Sequence, residues 1–131
     1  MNKEVKEIID KYMNNIELRK FSNQYYPNYD YNEGTKSKEE INRMTIGIDA
    51  SLNYYLQQEG LNNQEIEIME RKVAEYELIV SKIFLDSMND KIDYNAYELQ
   101  RFIDSIYLYY EKLNNVYKIK RTTEPNIGYK F

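Results

Sequence analysis

Histidine, cysteine and tryptophan are all absent from these 131 residues, and only 2 Pro and 4 Gly interrupt the chain. Without cysteine there is no disulfide, no thiolate nucleophile and no thiolate metal site. Without histidine there is no Ser-His or Cys-His nucleophile, no zinc site of the usual kind, and no side chain that ordinarily titrates near neutral pH. Catalysis would have to rest on carboxylates, Lys, Tyr or a hard metal on oxygen ligands. The glycines at 34, 47, 60 and 128 never cluster, which excludes a phosphate-cradling loop. No apolar run approaches the roughly 18 residues that span a bilayer. The stretch Met1-Asn2-Lys3-Glu4-Val5-Lys6-Glu7 is charged and carries no apolar signal segment, so a cytoplasmic protein of a bacterial host cell, with no membrane partner, is expected.

What is present is helical. Apolar residues make up 42% of the chain and charged residues 31%, a globular composition. Val5, Ile8, Ile9, Tyr12, Met13 and Ile16 recur at three-and-four spacing, predicting a helix over 3–20. From Phe21 to Lys36 the pattern stops, and Pro27, Gly34 and several Asn and Tyr predict a long loop. Ser37-Lys38-Glu39-Glu40 reads as a capping box opening a helix over 37–59, with Ile41, Met44, Ile48, Leu52, Tyr55 and Leu56 inward and Gly60 as the stop. Gly47 inside it costs about 1 kcal/mol relative to Ala, and close packing or a kink would explain it. A second box at Asn62–Glu65, flanked by a Leu61/Ile66 staple, opens a helix over 63–88, after a connection short enough to force an antiparallel hairpin. Ile66, Met69, Val73, Tyr76, Val80 and Ile83 form its seam. A third box at Asn95–Glu98 opens a helix over 95–120. The expected fold is all-α: one antiparallel bundle of about four helices over 1–121, with a Tyr-rich loop and an extended tail over 122–131.

Four features could carry function. The stretches YELIVSKIFL (76–85) and IYLYY (106–110) are apolar nearly all round, as helices covered on two sides would be, or as a second interface in an oligomer would be. Phe21, Tyr25, Tyr26, Tyr29 and Tyr31 crowd the loop, and Tyr concentrates in binding surfaces because it offers contact area and a hydroxyl at low entropic cost. The same rings would also serve to strap a long loop down. Lys112, Lys118, Lys120, Arg121 and Lys130 oppose Glu124 alone at the C-terminal end of a chain with net charge −4. With Tyr129 and Phe131 that end could touch nucleic acid or an acidic partner, although no DNA-reading motif is present and the rest of the chain is acidic. Positive charge at a helix C-terminus is the plainer reading.

The remaining feature is acidic. Glu67 and Glu70 lie three apart on one helical face, and Asp86 and Asp90 follow near the end of the same helix. The pattern resembles the paired carboxylates with which all-α nucleotide pyrophosphohydrolases of the MazG type hold magnesium over a nucleotide phosphate. That resemblance implies a magnesium-dependent hydrolase with these four residues as ligands. The second pair departs from the expected spacing, and no Lys/Arg cluster flanks it; solvated helix faces are the plainer account.

The reading that follows has no catalytic residues, cofactor or metal. It is a non-enzymatic protein–protein interaction protein: an adaptor, inhibitor or assembly component, with Tyr25, Tyr26, Tyr29, Tyr31, Lys118, Lys120, Arg121, Tyr129 and Phe131 facing another protein or a second copy. Residues with AT-rich codons dominate, which points to a phage or mobile element of a low-GC bacterium. An anti-defence or anti-CRISPR inhibitor is one concrete form, a virion or connector component a second, and a nucleic-acid-associated regulator using the basic tail a third.

Overall fold

A computed structural model describes the backbone of residues 1–123 and the side chains as far as Arg121. Within them run α1 (Lys3–Met13), a single 3-10 turn (Ile16–Arg19), α2 (Lys20–Tyr25), α3 (Lys38–Leu56), α4 (Asn63–Met88) and α5 (Ala96–Thr123). The architecture is an all-α bundle, and no helix among the described residues is long and apolar enough to cross a membrane.

α1 starts where the Asn2 side chain accepts the Val5 N–H at 2.8 Å, and it buries Val5, Ile9 and Tyr12. It does not run to residue 20. Asn14 caps its C-terminal end and the Asn15 side chain caps the following turn by accepting the Glu17 N–H. The Arg19 guanidinium then donates to the freed carbonyls of Tyr12 and Met13 at 3.2 and 3.4 Å. This corner corrects the expected 3–20 helix: Ile16 is 63% exposed, and Leu18 and Phe21 turn into the core instead. It also makes residues 20–25, expected as loop from Phe21 on, helical.

Ser37, Asn62 and Asn95 each accept the N–H three residues on, at 2.8–3.1 Å. At Asn62 and Asn95 the box closes reciprocally through Glu65 and Glu98. α3 ends at Leu56, earlier than residue 59, with Gln57 as its cap, so Gly60 lies in the connection and is not the stop. A Cβ built on Gly47 meets nothing within 4 Å, so close packing is not why glycine stands there.

α4 is the axis of the molecule, touching α1, α2, α3 and α5. Met69, Val73, Tyr76, Val80, Ile83 and Phe84 along it are at most 2% exposed. Paired contacts give the directions. Glu70 meets Tyr117 and Glu77 meets Tyr110, so α4 and α5 are antiparallel. Lys38 meets Glu98 and Asp49 meets Tyr109, so α3 and α5 are parallel. Tyr12, stacked on Phe84 at 4.1 Å and hydrogen-bonded to Ser81 at 2.7 Å, seats α1 on α4.

The link between α1 and α3 is a crossover held to α4 by three polar staples. α2 lacks a side-chain cap of its own. Its N-terminal amides are met from α4: Glu77 Oε1 accepts the Ser22 N–H at 2.7 Å, while Glu77 Oε2 lies 2.5 Å from the Tyr110 hydroxyl. Two α4 turns earlier, Glu70 accepts the Tyr25 hydroxyl at 2.5 Å and the Tyr117 hydroxyl from α5. Further along, the Lys82 ammonium donates to the carbonyls of Tyr31 and Glu33 at 3.0 and 2.7 Å and pairs with Asp86 at 3.2 Å. Its three N–H groups meet three acceptors.

Candidate functional site

The Tyr-rich loop is largely used internally. Tyr25 is bonded to Glu70 with the Arg71 guanidinium 4.5 Å over its ring. Tyr26 is half-buried against the core. Tyr29 donates to Glu33 at 2.7 Å and meets the Tyr31 ring edge-on, while the Tyr31 carbonyl is held by Lys82. Burial and the Glu70 carboxylate push the Tyr25 phenol up to about 12. Burial and Glu33 do the same to Tyr29. Among these rings only Tyr29 is exposed, and it sits at the mouth of a small apolar cleft with Ile41, Leu78 and Lys82.

The acidic residues do not converge. Glu67 pairs with Arg71 at 3.3 Å on the surface, Glu70 holds its two phenols, and Asp86 is bound to Lys82. Asp90 lies beyond the end of α4 in the left-handed region at φ 57°. Nineteen helical residues, about 28 Å of α4, separate Glu67 from Asp86. No group of three or more acidic residues among the described residues is placed to hold a metal. Lys118 and Arg121 are exposed and Lys120 half-buried on the last turns of α5. Tyr129 and Phe131 lie outside the described residues, as does the expected tail beyond Thr123.

Covering of the apolar stretches is uneven. From Tyr76 to Ser87 every α4 side chain is buried or half-buried. On α5, Ile106, Tyr109 and Tyr110 are buried, but Tyr107 and Leu108 are exposed.

The surface that stands out lies between α3 and α5. The two helices flank α4, with Tyr76 buried between them. They leave a groove of about 390 Å³ whose lining includes Tyr76 from α4, Thr45, Ile46 and Asp49 from α3, and Arg101 and Phe102 from α5, with Tyr94 just before it. The Lys38–Glu98 ion pair and the Tyr109–Asp49 hydrogen bond tie the helices together eleven residues apart. That spacing is about 16 Å of helix. Burial raises the Asp49 carboxyl despite the bond from Tyr109, and raises the Tyr76 phenol to about 12. The buried Tyr94 hydroxyl has no hydrogen-bond partner among the described residues. Beside the groove-lining Ile46 (66% exposed), α3 exposes Tyr54 (57%), eight residues on with Ala50 between them, and α5 exposes Tyr97 (71%) and Leu108 (51%). Helical spacing sets each pair on one outward face of its own helix.

Three elements of this arrangement escape sequence reasoning: Glu77, Lys82 and the groove. The signal available for the first two is a lone charged residue inside an otherwise apolar helical stretch, which a buried charge must answer with a partner. For the groove, the signal is Ile46 standing off the inward stripe of α3. No protein-family model matches this chain, and no similar chain is found among the curated proteins or the solved structures.

Proposed function

We propose that this chain is a non-enzymatic interaction protein that seats an amphipathic helix of a partner protein between α3 and α5. The observation that carries the reading is the open groove with the exposed Ile46 in its lining and further large apolar side chains exposed on both helices that form it. Two parallel helices about 16 Å long between their ties offer a third helix a trough, with Ile46 and Tyr54 exposed on one helix and Tyr97 and Leu108 on the other. Arg101 and Asp49 give it polar contacts of both signs, and the Tyr94 hydroxyl has no partner among the described residues. The loop tyrosines are spent on Glu70, Glu33 and the strap, which moves the interaction surface away from residues 25–31. An inhibitor or assembly component encoded by a phage or mobile element fits a small interaction protein with this AT-rich residue bias.

Ile46→Asp with Leu108→Asp tests the reading. Both side chains are exposed, so helicity and melting stay as in the wild type. Each removes an apolar anchor worth about 1–2 kcal/mol, so partner affinity falls at least tenfold. Unchanged affinity sinks the proposal. If the same pair instead abolishes self-association measured by sedimentation, the occupant is a second copy.

A further inference from the structure

The crossover is fastened at a carboxylate that carries a formal charge with no counter-charge. Glu77 is 0% exposed, and none of the ion pairs among the described residues involves it. Tyr12 faces it from α1; its phenol is bonded to Ser81. From the 3-10 turn comes Arg19, whose guanidinium is occupied by the carbonyls that end α1. Lys20 of α2 lies 4.8 Å over the Tyr110 ring, the loop supplies Tyr31, and α5 supplies Tyr110. The Tyr110 hydroxyl has one proton and two acceptors in reach: Glu77 Oε2 at 2.5 Å and the Glu17 carbonyl at 2.9 Å.

We infer that the 3-10 turn and α2 form a strap whose closure depends on the protonation of Glu77. With Glu77 protonated, its O–H donates to Tyr110, and Tyr110 donates to the Glu17 carbonyl. Every polar group is then satisfied and no charge is buried. With Glu77 ionised, Tyr110 turns its proton to the carboxylate, the Glu17 carbonyl loses its donor, and a charge sits in a dry site. Lifting the turn and α2 hydrates that charge, while α3, α4 and α5 keep their own caps and seams. Burial pushes the Glu77 carboxyl up to about 7, against the ordinary 4.5 it regains when the strap is open. The closed strap therefore binds the proton more tightly, and raising the pH through that window favours opening.

Amide hydrogen exchange on the full chain between pH 5 and pH 8, corrected for the intrinsic base-catalysed rate, reads the strap directly. Protection at residues 20–25 falls by about 10- to 100-fold as the pH rises. Met69, Val80 and Leu113, which exchange by global unfolding, stay better protected than the strap at every pH. Glu77→Gln presents an oxygen to Ser22 and an N–H to Tyr110, as the protonated acid does, and its strap protection is flat with pH. Strap protection independent of pH in the wild type overturns the inference, as does strap protection equal to that of Met69, Val80 and Leu113 at every pH, or a Gln variant that follows the wild type. Should the Gln variant fail to fold, the Glu77 carboxyl carbon is titrated in the wild type by NMR. A midpoint near 7 supports the strap and one near 4.5 overturns it.

Discussion

At the scale of single residues the molecule shows what buried polar groups cost and how they are answered. Tyr carries this chemistry because a phenol is large enough to fill a core and still donates one hydrogen bond. Tyr12, Tyr25, Tyr109, Tyr110 and Tyr117 each reach a hydroxyl or a carboxylate. Glu77 is the extreme case. Its folded carboxyl holds a proton up to about 7 and its unfolded one only to 4.5. Between those values the native state binds more protons, so unfolding free energy falls as pH rises, by about 3 kcal/mol in total, and is level above 7. Urea titrations from pH 4.5 to 8 read this slope, and Glu77→Gln removes it. Two other positions run against local preference. Gly47 is exposed in mid-α3 with open space around it, so Gly47→Ala raises stability by about 1 kcal/mol, seen as a melting point higher by several degrees. Asp90 holds a left-handed φ and places negative charge at the C-terminal end of α4. Asp90→Gly relieves both, with a gain of about 1 kcal/mol in the same melt.

Among the elements, the crossover is the one that depends on side chains brought from elsewhere. α3, α4 and α5 open on caps written within four residues of their own sequence, and for that reason their starts at Ser37, Asn62 and Asn95 are legible in the sequence alone. α1 also caps itself, but its end is not legible: Ile16 continues the apolar spacing past the Asn14-Asn15 corner. What breaks the helix is Arg19 folding back onto the Tyr12 and Met13 carbonyls. α2 is invisible for a stronger reason. Its six residues are too few to hold a helix alone, and its cap, Glu77, lies 55 residues from Ser22. The Lys82 staple is equally non-local, reaching Tyr31 and Glu33 across 51 and 49 residues. Lys82→Met strips two carbonyls and the buried Asp86 of their cation. Global stability falls by about 2–4 kcal/mol in denaturant titration, with amides of residues 29–36 losing protection first.

For the whole molecule, one long helix works as an axis and the others differ in how completely they cover it. α1, α2 and the crossover shield one side of α4, while α3 and α5 flank Tyr76 and leave a groove beside it. Periodicity announces that α4 is covered nearly all round, but it cannot say which helices do the covering or where they stop short. The Tyr-rich stretch stands out by composition, yet Tyr25 is engaged by Glu70 and Arg71 far away in sequence, Tyr29 by Glu33 and Tyr26 by the core. The groove is assembled from three helices and its exposed residues are scattered over sixty positions, so no local pattern marks it. The exposed Ile46 in its lining is the basis for the protein–protein contact proposed above. The most direct test is quantitative capture of a partner by the wild type, by Ile46→Asp/Leu108→Asp, and by Tyr25→Phe/Tyr29→Phe, all confirmed folded by circular dichroism. The groove pair is predicted to lower recovery of a specific partner at least tenfold while the loop pair retains it; full recovery with the groove pair, or loss with the loop pair alone, would contradict the account.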